Sequence, residues 1–161
     1  MKYNQAEINH NQLLIKGNKS PLLIRATLTV ILLICILIPI AATYFLISER
    51  KGPHIGIVLS FFLFWGIGFY LLRIILWNTF GREIIIFEKD KILYEADYRF
   101  FKDGKQTIST ENIEVVAVPT EDKTDNLALL NFSNGQQHID TVLKVSLDKM
   151  RNIAQEINSR Y

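Results

Sequence analysis

Hydrophobic positions fall in two regimes along this 161-residue chain. Between Ala26 and Trp77 they run almost unbroken; before and after that stretch they alternate with polar residues. Ala26 to Ile47 carries no ionisable side chain other than Cys35 and Tyr44. At about 1.5 Å per residue the run is long enough for a hydrocarbon layer of roughly 30 Å. Ile55 to Leu72 is a second uncharged run, continued by Arg73-Ile-Ile-Leu-Trp77. It spans if Arg73 snorkels to a headgroup layer. The pattern therefore predicts a transmembrane helical hairpin, 26–47 and 55–77, joined by Ser48 to His54. Pro39 predicts a kink in the first helix, and Gly56-Ser60-Phe64 or Gly66-Tyr70 a seat for the first helix or for another subunit.

On the C-terminal side the period shortens to two. Glu83 to Glu88 and Lys91 to Asp97 read as a hairpin across Lys89-Asp90, and Tyr98 to Phe101 as an extension or a bulged edge. Lys102-Asp-Gly-Lys105 is a strong turn signal, followed by a strand at Gln106 to Thr110. Val115 to Val118, ended by Pro119, is another strand. Leu127 to Phe132 and His138 to Val142 pair across Asn134-Gly135, with the polar loop 120–126 before them. The last segment switches to helical spacing. Leu147, Met150, Ile153, Ala154 and Ile157 make one apolar face behind Ser146 as N-cap, a face to be buried against one opening of a curled sheet. Residues 1–25 read as a polar segment with one short strand at Gln12 to Lys16. The expected division is 1–25, the hairpin 26–77, and a domain at 78–161.

Charge adds an orientation. The first 77 residues hold 7 Lys and Arg against 2 Asp and Glu, a net of +5; the remainder holds 11 against 14, a net of −3. Lys16, Lys19 and Arg25 precede the first span and Arg73 and Arg82 close the second, so both ends are expected in the cytoplasm. A cleaved signal peptide is disfavoured because the apolar run is long and starts more than 20 residues in. An acidic tail is a poor nucleic-acid surface, and no nucleic acid is expected as partner. The single Cys35 rules out a disulfide within one chain.

Candidate chemistry is sparse. His138 and Asp140 share a strand face, yet no hydroxyl or thiol is marked as their partner, and surface pairing is the expected state. No spacing suggests a metal cluster, no Gly-rich loop suggests a phosphate cradle, and neither catalytic residue nor cofactor is expected. Tyr70, Arg73 and Trp77 lie on one helical face and are expected to anchor the second span at the interface. Arg73, Arg82, Lys89 and Lys91 are the candidate contacts to a lipid headgroup, although Asp90 and Asp103 interrupt the basic turns.

Ile84-Ile-Ile-Phe87, Lys91-Ile-Leu-Tyr94, Ile108-Ser-Thr-Glu-Asn-Ile113 with Val115-Val116, the Asn134-Gly135 turn and the final helix together carry a resemblance. The chain resembles bacterial membrane proteins in which one or two hydrophobic helices precede a small pleckstrin-homology-like domain. The resemblance implies a small antiparallel β-barrel or roll closed by a C-terminal helix. It also implies a scaffold or binding module beside the inner membrane, touching lipid and a protein partner or a second copy of itself. A headgroup-binding protein and a subunit of an oligomeric transporter or channel are the alternatives.

Overall fold

A computed structural model describes residues 5–49, 52, 55–120 and 126–161. The chain divides into two compact units. One comprises residues up to Asn18 together with Phe80–Tyr161, and the other is Lys19–Thr79.

The helical unit holds α1 (Leu22–Ser48) and α2 (Ile55–Phe80), the latter running one residue into the other unit. Both are long and apolar enough to cross a membrane. Their apolar side chains are exposed or only partly buried, unlike those of a core helix in a soluble protein; only Cys35 and Pro39 of α1 and Gly68 of α2 are buried. A Cβ at Gly68 would lie 3.4 Å from Leu32 Cδ1 and 3.8 Å from Cys35 Cβ, so this glycine sets the close approach of the helices. The first helix is seated at Gly68 and not at Gly56 or Gly66, neither of which faces anything within 4 Å. Hydroxyls in the spans turn back on the helix: Thr29 donates to the Arg25 carbonyl at 2.8 Å and Thr43 to that of Pro39 at 2.7 Å. The connection at Arg50, Lys51, Pro53 and His54 lies outside the described residues.

The other unit contains two antiparallel sheets and a helix. The first sheet has the order β1 (Ala6–Asn9), β2 (Gln12–Lys16), β3 (Arg82–Phe87), β4 (Lys91–Asp97), β5 (Lys102–Ser109). The second holds β6 (Glu114–Pro119), β7 (Leu127–Ser133) and β8 (His138–Asp140), with β9 (Val145–Ser146) pairing β7. Chain order and sheet order agree throughout the first sheet, and the whole helical pair is inserted in its β2–β3 connection. Residues expected to form a separate polar head thus supply two strands, one of them central. The reason is burial: Leu13 and Ile15 of β2 are completely inaccessible, and their register partners on β3 are Ile85 and Glu83.

Apolar side chains of both sheets meet Met150, Ile153, Ala154 and Ile157 of α3 (Leu147–Asn158) in one core. The apolar face of α3 is buried as expected, packed on β6, β7 and β9. The sheets do not close into a barrel, because no strand pairing joins them among the described residues. The chain leaves the first sheet at Ser109 and starts the second at Glu114, passing through Asn112 with φ of 54°.

One turn differs from expectation. The Asp103-Gly104 signal lies inside β5, while the reversal falls at Arg99-Phe100, where Tyr98 N–H donates to the Phe101 carbonyl at 3.0 Å. The register explains both. Ala96 opposes Asp103 and Tyr94 opposes Gln106, so Glu95 faces two residues, and Gly104 takes φ of 64° in that bulge. Asp-Gly supplies the positive φ of a bulge as readily as that of a turn. The polar loop at 121–125 lies outside the described residues.

Candidate functional site

The sheet unit has two ends, and its charges are sorted between them. Lys16 and Arg82 are register partners at the end where the chain passes to and from the helices. Arg82 opposes Asp97, and both its Nε and a terminal nitrogen reach Asp97 Oδ2 at 2.7 Å. Burial pushes the Asp97 carboxyl up. The Arg99 N–H at 2.7 Å, the Arg82 guanidinium and the charge of Lys102 outweigh burial and hold it below the usual carboxylate range. The β4–β5 turn then projects past Arg82. There Tyr98 stacks on Phe101 with centroids 4.7 Å apart, and the Arg99 guanidinium lies 4.7 Å from the Phe80 ring and 6.0 Å from that of Phe100.

Lys89 and Lys91 occupy the opposite end, in the β3–β4 turn, with Lys91 Nζ 3.4 Å from Glu88. Seven residues of extended chain separate Arg82 from Lys89, about 20 Å. The four expected headgroup contacts are therefore not one site. Lys89 and Lys91 sit in an exposed turn of mixed charge, and Arg82 is paired. Arg73 is an exposed residue of α2, about 10 Å along the axis from Phe80 at 1.5 Å per residue. Tyr70 and Trp77 flank it on the same helix, Tyr70 exposed and Trp77 half-buried.

Within the helical unit, Ser20 N–H donates to the Asn78 carbonyl at 3.2 Å, which sets the start of α1 beside the end of α2. Counting inward from that bond, Arg25 and Arg73 each lie five residues along, at the same level of an antiparallel pair. The Nε of Arg25 is buried with no hydrogen-bond partner among the described residues. Sequence reasoning placed Arg25 at the mouth of the span without pairing it with Arg73. The signal was the equal distance of both from the polar flanks.

Comparisons with protein-family models, with curated proteins and with solved structures found no match.

One buried carboxylate went unnoticed. Glu83 shares the inward parity of Ile85 and Phe87 and is completely inaccessible. Tyr94 Oη donates to its Oε1 at 2.6 Å, Val142 N–H to the same oxygen at 2.6 Å, and Leu143 N–H to Oε2 at 3.1 Å. Burial raises its pKa more than these three donors lower it; burial, with the contact to Glu83 after it, holds the Tyr94 hydroxyl well above the usual phenol range. Val142 and Leu143 belong to the β8–β9 connection, so this side chain ties the first sheet to the second. With both oxygens accepting hydrogen bonds and the side chain fully buried, Glu83 is an internal strut. Its shared parity with Ile85 and Phe87 on β3 is the legible signal.

His138 Nε2 stands 3.9 Å from Asp140 Oδ2 on the open face of β8, both well exposed, and Asn131 Nδ2 also donates to Asp140 at 2.6 Å. This is the surface pair that their spacing indicated. Among the described residues no three His, Cys, Asp or Glu side chains converge as a metal site.

The remaining surface of note is the outer edge of β6. Its Val115 N–H donates to Asn158 Oδ1, and Asn158 Nδ2 donates to the Val115 carbonyl, both at 2.9 Å. One side-chain amide of α3 thus stands where a neighbouring strand would. Ala117 directs its backbone groups to the same edge by parity, between the half-exposed Val116 and Val118.

Proposed function

We propose that this chain is a non-enzymatic, membrane-anchored binding module. In this reading α1 and α2 cross a bacterial inner membrane as a hairpin, with both termini and the sheet unit in the cytoplasm. The unit corresponds to the pleckstrin-homology-like roll of the proteins the sequence resembles, enlarged by β1 and β2. It engages a protein partner or a second copy.

The observation that carries the anchoring is the pairing of β2 with β3 across the helices. Lys16 and Arg82 lie opposite one another, so the two ends of the helical insertion stay on one side of any layer it enters. That supports an even number of crossings. It also argues against a cleaved leader, because Leu13 and Ile15 precede α1 and belong to the folded core. Lys16, Lys19, Arg25, Arg73 and Arg82 at the shared end support its cytoplasmic placement. The partly open β6 edge, where Asn158 covers Val115 and leaves Ala117 to pair, supports strand addition as the binding mode.

A second reading rests on the level of Arg25 and Arg73. Two guanidinium groups near one end of the hairpin, one with a buried unpaired Nε, suit the phosphate of an anionic lipid. Isolation of the full-length protein in native-lipid nanodiscs, with proteins and lipids identified by mass spectrometry, tests both. A stoichiometric protein, lost on Ala117→Pro, is the expected result. Enrichment of an anionic lipid alone, lost on Arg25→Gln with Arg73→Gln, supports the second reading, and neither outcome sinks both.

A further inference from the structure

We propose that the β4–β5 turn is a second membrane contact, with Phe100 entering the boundary between headgroups and acyl chains and Arg99 meeting lipid phosphate. The inference rests on the membrane-spanning reading above. Its first support is place. Arg99 lies 4.7 Å from the ring of Phe80, the last residue of α2, and the rings of Phe80 and Phe100 are 6.3 Å apart, edge to face. The turn is thereby held at the point where the chain emerges from an apolar helix, and the layer that covers α2 is the candidate cover for Phe100.

The second support is chemistry. Phe100 is 73% exposed, the most exposed large apolar side chain of the sheet unit among the described residues. The turns at His10-Asn11, Lys89-Asp90 and Asn134-Gly135-Gln136 present polar residues, as water-facing turns do, and Val142 in the β8–β9 connection is less exposed than Phe100. A Phe ring beside a guanidinium instead suits a membrane boundary, where the apolar ring meets the acyl chains and the cation stays with the headgroups. The third support is backbone conformation. Arg99 holds φ of 79°, a region that costs a side-chain-bearing residue free energy and that Gly or Asn fills more easily. The stack of Tyr98 on Phe101 and the contacts of Arg99 with Phe80 and Phe100 fix the tip in that shape.

The test uses the full-length chain carrying Cys35→Ala in nanodiscs containing phosphatidylglycerol. One cysteine is added per sample, Phe100→Cys, Gln136→Cys or Leu63→Cys, and each is labelled with the same nitroxide. Accessibility to oxygen and to a water-soluble nickel chelate is then read by power saturation. The expected result is a several-fold higher oxygen-to-nickel ratio at 100 than at 136, with 63 higher still. Position 136 controls for the affinity of the label itself for lipid. A lipid-like value at 63 with a water-like value at 100 overturns this proposal and leaves the spanning reading standing. A water-like value at 63 overturns both. If Phe100→Cys fails to fold, Arg99→Cys reports on the same tip with the same expected order.

Discussion

Glu83 shows how one side chain can join two sheets and make their union depend on pH. Its three donors come from Tyr94 on β4 and from the β8–β9 connection, so removing its acceptor oxygens leaves buried N–H groups without partners. In Glu83→Gln one carboxyl oxygen becomes an NH₂ that must face a donor. The expected loss is about 1–3 kcal/mol, read as a lowered thermal midpoint of the full-length protein in nanodiscs. The sign with pH follows from a folded pKa above its ordinary 4.5. The fold favours the protonated acid, so this contribution is fully present below pH 4.5 and is lost as pH rises through the folded value. The penalty of the substitution therefore shrinks on going from acid toward neutral pH; a penalty that grows over that interval contradicts the assignment. Asp97 acts with the opposite sign. Its folded pKa is depressed, so its pairing with Arg82 and Arg99 N–H stabilises above its ordinary 3.8 and fades as pH falls through the folded value. Arg82 is nearly half exposed, and solvent screening keeps that second contribution small.

At the scale of elements, β6 is finished by a helix rather than by a strand. Asn158 closes the Val115 position of its free edge through two 2.9 Å hydrogen bonds, a local answer to the hazard that an unpaired edge poses. Asn158→Ala is expected to cost about 1–2 kcal/mol, since both Val115 groups lose their partner in a partly buried place. It is also expected to expose one more pairing position, raising concentration-dependent self-association in light scattering. If the midpoint falls and no association appears, the edge is guarded by something other than this amide. Strands with strict alternation were legible in the sequence: Lys91–Asp97 and Gln12–Lys16 form over the predicted residues because burial of one face allows a single register. The turn at Arg99-Phe100 was not. Its residues carry no turn preference, and the stack of Tyr98 on Phe101 and the neighbouring Phe80 that hold it come from tertiary packing. Asp-Gly next door offered a better local signal, and the fold used it for a bulge instead. Ala6–Asn9 escaped for a related reason, since four residues with two apolar positions acquire meaning only once β2 lies beside them.

For the whole molecule, the insertion of two long apolar helices divides the sequence of a unit that the fold keeps together. The hydropathy pattern made the two helices plain, because a hydrocarbon layer demands long uninterrupted runs. That same contrast sets residues 1–25 apart as a polar segment, although a boundary in hydropathy is not a boundary in folding. A fragment spanning 78–161 accordingly lacks Leu13 and Ile15 and leaves β3 as an open edge over an exposed core. Losing two fully buried aliphatic side chains removes roughly 3–6 kcal/mol of burial, against a typical domain stability of about 5–15 kcal/mol, before any loss of strand pairing. The fragment is expected to be aggregated or poorly dispersed in its amide NMR spectrum. A chain in which residues 5–17 are joined to 81–161 by a short Gly-Asn turn, with the helices omitted, is expected to fold. Lys16 and Arg82 are already cross-strand partners, and the Gly17 N–H donates to the Gly81 carbonyl at 3.2 Å, so the closure asks for no rearrangement. A dispersed spectrum from the joined chain and not from the fragment would establish that β1 and β2 are integral to the unit, and that the helices are an insertion rather than a leader. Equal dispersion from both would mean that β3 to β9 suffice, returning β1 and β2 to the status of an accessory.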